Sequence, residues 1–142
     1  MNAPLYTTQI LRLAASLDAP HALYREDGRA ELRSPACGSR VETAVTLDAD
    51  GRIAALSQDV NACAFGQASA ALVAQSAVGA DRHSVDRALA ELDAWLGGER
   101  DNPGAWPGLT ALTPALAKRG RHGAIMLPFR ALSAALAEAG RG

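Results

Sequence analysis

The chain has 142 residues and reads as one domain over residues 1–142, long enough to bury roughly two thirds of its unfolded surface. Its net charge is −1 with the two signs interspersed, so there is neither a phosphate-neutralising basic stripe nor an acidic tail, and nucleic acid is not an expected partner. No stretch approaches the roughly 20 apolar residues of a membrane span, and no basic flank leads into an apolar run at the start, which predicts a soluble cytoplasmic protein with no membrane partner.

Apolar residues at Tyr6, Ile10, Leu13 and Leu17 have helical spacing and predict a first helix over 5–17, ended by Asp18-Ala19-Pro20. Residues 30–33 read as a short edge strand leading into the turn around Pro35, Cys37 and Gly38. From Val41 to Leu47 the residues Val41, Thr43, Val45 and Leu47 alternate onto one face, the period of a half-buried strand. Asp48-Ala49-Asp50-Gly51 turns the chain, and residues 52–60 return as the antiparallel partner, bringing Val60 opposite residue 41. A small, apolar helix is expected over 65–78. The next helix has Ser84 as its expected N-cap, a stripe of Val85, Ala88, Leu89, Leu92, Trp95 and Leu96, and a stop at Gly97-Gly98. A loop over 99–108, a short helical piece over 109–117 and a final helix over 125–139 with Phe129, Leu132 and Leu136 inward complete the chain. With few aromatics, the core is built largely from Ala, Leu and Val.

Cys37 and Cys63 are the two thiols of the chain, and each follows turn residues beside a strand. Structural cysteines more often sit inside a strand or helix as small hydrophobes. Strands of about seven residues, rising about 3.3 Å each, carry the chain out and back, so the hairpin returns Cys63 to the neighbourhood of Cys37. The pair is therefore read as a metal or cluster site, in a compartment where a structural disulfide is unusual. Cys63 also precedes or opens a helix, whose dipole favours thiolate over thiol.

The stretch Ser-Pro-Ala-Cys37-Gly38-Ser39, the hairpin turn Asp50-Gly51-Arg52-Ile53 and the run Ala62-Cys63-Ala64-Phe65-Gly66-Gln67-Ala68-Ser69-Ala70 resemble the NifU/IscU-type iron-sulfur cluster assembly scaffolds. The resemblance extends to the opening Leu5-Tyr6 helix and the closing Leu127-Pro128-Phe129-Arg130-Ala131-Leu132 helix. It implies an α+β fold with a three-stranded antiparallel sheet covered by helices. It also implies a scaffold on which iron and sulfur from a cysteine desulfurase meet at three cysteines. Two departures stand out. The aspartate that follows Cys-Gly in the family is Ser39 here, and its third cysteine corresponds to Ala124 by the Leu-Pro-Phe register or to Gly123 by the histidine register. His122 is then the surviving third ligand, although a surface role or a hydrogen bond at the helix start reads equally well.

Cys37, Cys63 and His122 form the expected set for metal and cofactor. Two thiolates and an imidazole suit Zn²⁺ with a water, and they support iron or a [2Fe-2S] cluster when an exogenous ligand completes the set. Ser39, neutral near pH 7, is a poor substitute for a carboxylate. The expected function is an iron-sulfur cluster assembly scaffold-like protein that binds iron or a [2Fe-2S] cluster, accepts sulfur from a cysteine desulfurase and serves apo iron-sulfur proteins, without a turnover of its own. The alternatives are a zinc-dependent sulfur-transfer protein with Cys63 as acceptor, and a degenerate regulatory module that acts on a desulfurase by binding. The run Lys118-Arg119-Gly120-Arg121 reads as a solvated loop, since the family's Leu-Pro-Pro-Val-Lys chaperone signal is absent, and His21 and His83 read as loop residues. Neither a hydrolase nucleophile motif nor a phosphate-cradling glycine loop is present.

Overall fold

The computed structural model describes residues 6–35 and 38–140. In chain order these form helix α1 (Thr8–Ala15), strands β1 (Gly28–Ser34), β2 (Ser39–Leu47) and β3 (Ile53–Asn61), and helices α2 (Ala64–Ser76) and α3 (Arg82–Leu96). Two 3₁₀ turns (Leu109–Ala115 and Arg119–Arg121) and helix α4 (His122–Ala139) follow. The strands form one antiparallel sheet in the order β1-β2-β3, and the architecture is the α+β arrangement the sequence predicts.

The hairpin register is the one that hydrophobic alternation demands. Val41 pairs with Val60 and Val45 with Leu56, so the residues that share a face in β2 meet their counterparts in β3. At the turn, the Asp48 side chain accepts from the Asp50 and Arg52 amides, and Gly51 takes the positive φ of 80° that a Cβ would disfavour. A register shift between Thr46 and Leu47 absorbs the extra residue beside the turn.

α4 lies against β1 and β2, α2 packs on α1 and α4, and α3 packs on α4. Ile10, Phe65, Leu72, Leu92, Ile125 and Phe129 meet in the main core, while Val41, Leu127 and Ala131 make a smaller cluster over the sheet. Tyr6 tilts onto Phe65 at 5.2 Å, and Trp106 meets Phe129 edge-on at 5.4 Å. The Trp106 indole N–H donates to the Leu72 carbonyl at 2.9 Å, which anchors the loop after α3 onto α2. Because so many contacts are between small residues, backbones approach closely. A Cβ at Gly28 would stand 2.1 Å from the Ala135 carbonyl oxygen, so β1 and α4 fit together only with glycine there.

Several boundaries differ from expectation for identifiable reasons. Helix α1 starts at Thr8, where the Thr7 hydroxyl caps the Ile10 amide, and ends at Ala15, while residues 17–27 form neither helix nor strand and are tied to the sheet by the His21 amide donating to the Ser57 hydroxyl and the Arg25 guanidinium donating to the Leu47 carbonyl. The Leu5 end of the expected first helix lies outside the described residues. The N-cap of α3 is Asp81 rather than Ser84: its carboxylate accepts from both the Ser84 amide and hydroxyl at 2.8 Å. Ser84 is thus the capped residue, three positions into the motif. Gly98, at φ 81°, ends α3 beyond Leu96 as the glycine pair predicts. β1 extends to both sides of residues 30–33, because β2 offers it seven paired positions.

Three carboxyls in this frame are held below the usual carboxylate range, Glu26 chiefly by the hydrogen bond from Arg29. Asp27 is lowered first by the hydrogen bond from Arg25 and then by the Leu47 amide, and Asp81 first by the Ser84 amide and then by its hydroxyl. Depressed carboxyls stabilise the fold above their unfolded pKa, and that stabilisation is lost as pH falls through the folded value. Thermal melts taken below about pH 5 will therefore fall less steeply with pH for Asp27→Asn and Asp81→Asn than for the parent, although both variants start from a lower melting temperature. Gly28→Ala will cost about 1–3 kcal/mol in denaturant unfolding, the usual penalty for forcing a methyl into a filled contact.

Candidate functional site

A cavity of about 200 Å³ lies where the start of β2, the turn after β3 and the start of α4 converge, lined by Gly38, Ser39, Asn61, Cys63, Arg121 and Ala124. The chain reaches this point by simple geometry. Arg40 pairs with Asn61 across β2 and β3, so residues just before Arg40 and just after Asn61 are brought to one end of the sheet. Cys37 lies outside the described residues. Its sequence neighbour Gly38 lines the cavity, with a positive φ of 71°.

Cys63 is the N-cap of α2, partly exposed, in extended conformation and with no side-chain capping bond. Its carbonyl accepts from the Gln67 amide at 2.9 Å, and the Gln67 side-chain amide donates to the Ala62 carbonyl at 3.0 Å, which fixes the turn on either side of the thiol. Gln58, in β3, donates to the Ala70 carbonyl at 3.0 Å and ties the body of α2 to the strand that precedes it. Cys63 is thereby placed by hydrogen bonds on both elements that flank it.

α4 presents its first turn to α2 at close range. A Cβ at Gly66 would lie 3.3 Å from the Ala124 carbonyl oxygen, and 2.6 Å from the Ala62 Cβ in the turn before α2. Pro128 carries no N–H to return to that carbonyl, so this link of the α4 ladder is missing. At the next residue the buried Ser69 hydroxyl donates to the Ile125 carbonyl at 2.6 Å, an interhelical bond that locks α2 to α4 beside the cavity.

These contacts distinguish the two registers left open for the missing third cysteine. Ala124 lines the cavity with Cys63, whereas Gly123 is not among the lining residues and a Cβ there would stand 2.9 Å from Ser34 Oγ. Ala124 is therefore the one of the two that borders the same cavity as Cys63. His122 opens α4, and its Nε2–H donates to the Ala115 carbonyl at 2.9 Å, the helix-start hydrogen bond that was one reading of this residue. In the neutral ring this leaves the lone pair on Nδ1. His122 is not among the cavity-lining residues, and the described residues contain no group of three or more His, Cys, Asp or Glu arranged to hold a metal ion.

Sequence reasoning missed Arg121. The basic run 118–121 reads as solvated loop, yet Arg121 is partly buried and lines the cavity. The available signal was spacing: Arg121 stands three residues before Ala124, which places the two on one face of a helical turn. Ser39 is nearly buried and lines the same cavity. No helix among the described residues is long and apolar enough to cross a membrane.

No family model matches this chain, and no curated protein matches it. Solved structures do. A nitrogen-fixing NifU-like protein (N-terminal) from Brucella abortus is similar at a TM-score of 0.89 and 25% identity, over 96% of this chain and 95% of that one. A protein described as an iron-sulfur cluster assembly scaffold for the SUF system, from Fervidobacterium islandicum AW-1, gives a TM-score of 0.83 at 16% identity, over 93% and 96% of the two chains. The fold is that of the NifU/IscU-type scaffolds.

Removing the Ser69 hydroxyl takes away the interhelical donor to the Ile125 carbonyl. Ser69→Ala is expected to cost about 0.5–1.5 kcal/mol in chemical unfolding and to raise the reactivity of Cys63 toward a neutral alkylating agent, measured as the rate of mass gain, because α2 loses its tie to α4.

Proposed function

We propose that this protein is an iron-sulfur cluster assembly scaffold whose substrates, iron and sulfide, meet at Cys63 and Cys37. The observation that carries this reading is the position of Cys63. On a fold shared over 96% of the chain with a NifU-like protein, the thiol sits at a helix start beside a cavity formed by three separate segments. A fold neighbour described as a cluster assembly scaffold supports the same role.

The donor set has consequences for how a cluster is held. Thiolates are the usual cluster ligands, and Cys37 and Cys63 supply two. Ala124 supplies none at the third position, and Nδ1 is what His122 has to offer while its Nε2–H stays on Ala115. The cluster is therefore held by fewer protein ligands than a full set and completed from outside, either by a small thiol or by a partner's side chain. Incomplete ligation favours transfer over storage, which suits a protein that receives sulfur from a cysteine desulfurase and passes clusters to apo iron-sulfur proteins. A resident zinc at the same thiols, with sulfur transfer as the activity, is the competing reading, since thiolate and imidazole suit zinc equally.

Native mass spectrometry of anaerobic protein, before and after supplying iron and sulfide, tests this. The scaffold reading predicts a two-iron, two-sulfide increment that disappears in Cys37→Ser and Cys63→Ser; a lone zinc resistant to iron favours sulfur transfer, and no bound species in any sample rejects both. Restoring a thiol where the cavity has room should strengthen the site. Ala124→Cys is expected to bind Co²⁺ at least about tenfold tighter, near 1.4 kcal/mol, with stronger thiolate-to-metal absorption, whereas Gly123→Cys, directed at Ser34, should show no such gain.

A further inference from the structure

We propose, on the reading of Cys63 as a sulfur acceptor, that its cavity also takes sulfur directly from a small anionic sulfane donor of the thiosulfate type, with Arg121 seating the oxyanion end. The charge of the cavity points to an anion. No carboxylate is among its lining residues, and Arg121 contributes a guanidinium. Most arginines elsewhere are matched: Arg25, Arg29, Arg33, Arg40, Arg82, Arg87 and Arg100 each have a carboxylate partner. Arg121 is partly buried and has neither an ion pair nor a side-chain hydrogen bond among the described residues. Removing a guanidinium from water without a counter-charge is unfavourable, and an oxyanion that accepts its forked N–H groups offsets that cost.

The surroundings reinforce this sign. Lys118 and Arg119, in the same short segment, also lack ion pairs among the described residues. The amides of Ala64, Phe65 and Gly66 at the start of α2 have no backbone or side-chain acceptor among the described residues, so the positive end of that 13-residue helix lies beside the Cys63 thiol. Asn61 adds a neutral amide to the lining. A five-atom anion fits within about 200 Å³. A thiol and a guanidinium bordering one small cavity match the two ends of such a donor, sulfur at one and oxygens at the other.

The transfer balances without any further reagent. The Cys63 thiolate attacks the outer sulfur of thiosulfate, a new S–S bond forms, and the bond between the two thiosulfate sulfurs breaks. Its electron pair leaves with sulfite, and Cys63 is left as a persulfide anion. Total charge is the same on both sides, and no oxidant or reductant is consumed. Arg121 acts on the leaving group, whose negative charge becomes concentrated on the sulfite as the bond breaks.

The test is to incubate reduced, desalted protein with sodium thiosulfate, alkylate it, map the peptides by mass and assay the sulfite released. The expected result is one sulfur atom added at Cys63 with an equal amount of sulfite, at least tenfold slower in Arg121→Gln and absent in Cys63→Ser. Arg121→Gln should keep the parent's melting temperature and its Cys63 reactivity toward iodoacetamide, a neutral reagent, which separates anion seating from a damaged thiol. No addition to the parent, addition at Cys37 alone, or equal rates in the parent and Arg121→Gln overturns the inference. A parallel incubation with a cysteine desulfurase and cysteine distinguishes the two levels of reading. Sulfur delivered by the desulfurase but not by thiosulfate defeats this inference and leaves the scaffold reading intact. Thiosulfate loading without any iron-sulfide increment does the reverse.

Discussion

How closely α2 can approach the start of α4 decides whether there is a site at all. A Cβ at Gly66 would press on the Ala124 carbonyl at 3.3 Å and collide with Ala62 in the turn before α2 at 2.6 Å, and the Ser69 hydroxyl closes the seam with α4 on Ile125. Both contacts need small residues. The sequence supplies them as Ala-Phe-Gly-Gln-Ala-Ser-Ala, in which Phe65 turns into the core and the remainder stay out of the way of α4. The cavity beside Cys63 is the space left where this seam meets the end of the hairpin. Bulk added at Gly66 would therefore displace Cys63 relative to Arg121 and Ala124 while leaving the sheet undisturbed.

Charge is sorted in the same molecule by position. Strands β1 and β2 and helix α3 carry arginines matched with carboxylates within 4.0 Å, most of them solvent-exposed and so worth little individually. Arg121, which borders the cavity, has no such partner among the described residues. A near-neutral chain thus places one unmatched, partly buried positive charge at the cavity, where reduced exposure makes it act more strongly than on the open surface. Net charge alone conceals this.

What the sequence revealed followed the strength of local signals. Alternation from Val41 to Leu47, with Asp-Gly at the turn, determines the hairpin and its register, and the register in turn brings Cys63 to the end of β2 where Gly38 lies. The stripe of α3 and the inward residues of α4 are equally direct. The cap of α3 was misread because Ser84 and Asp81 are both good capping residues, and only the hydrogen-bond geometry shows which one accepts. The Ala124 register required a tertiary fact, the proximity of Ser34 to Gly123, that no local pattern encodes. Arg121 and the His122 bond to Ala115 were hidden for the same reason: they depend on how the 3₁₀ segments fold back against α4.

Pro128 gives the mouth of the cavity a mechanical character of its own. With one rung absent from the α4 ladder, the turn carrying Arg121 and Ala124 is secured sideways, through Ser69 and the Gly66 contact, more than along its own axis. Segments held by fewer axial bonds open locally at lower free energy than the helices behind them. Such an arrangement lets the rim part locally while the sheet and the remainder of α4 stay closed, so that opening of the cavity need not be coupled to unfolding of the body.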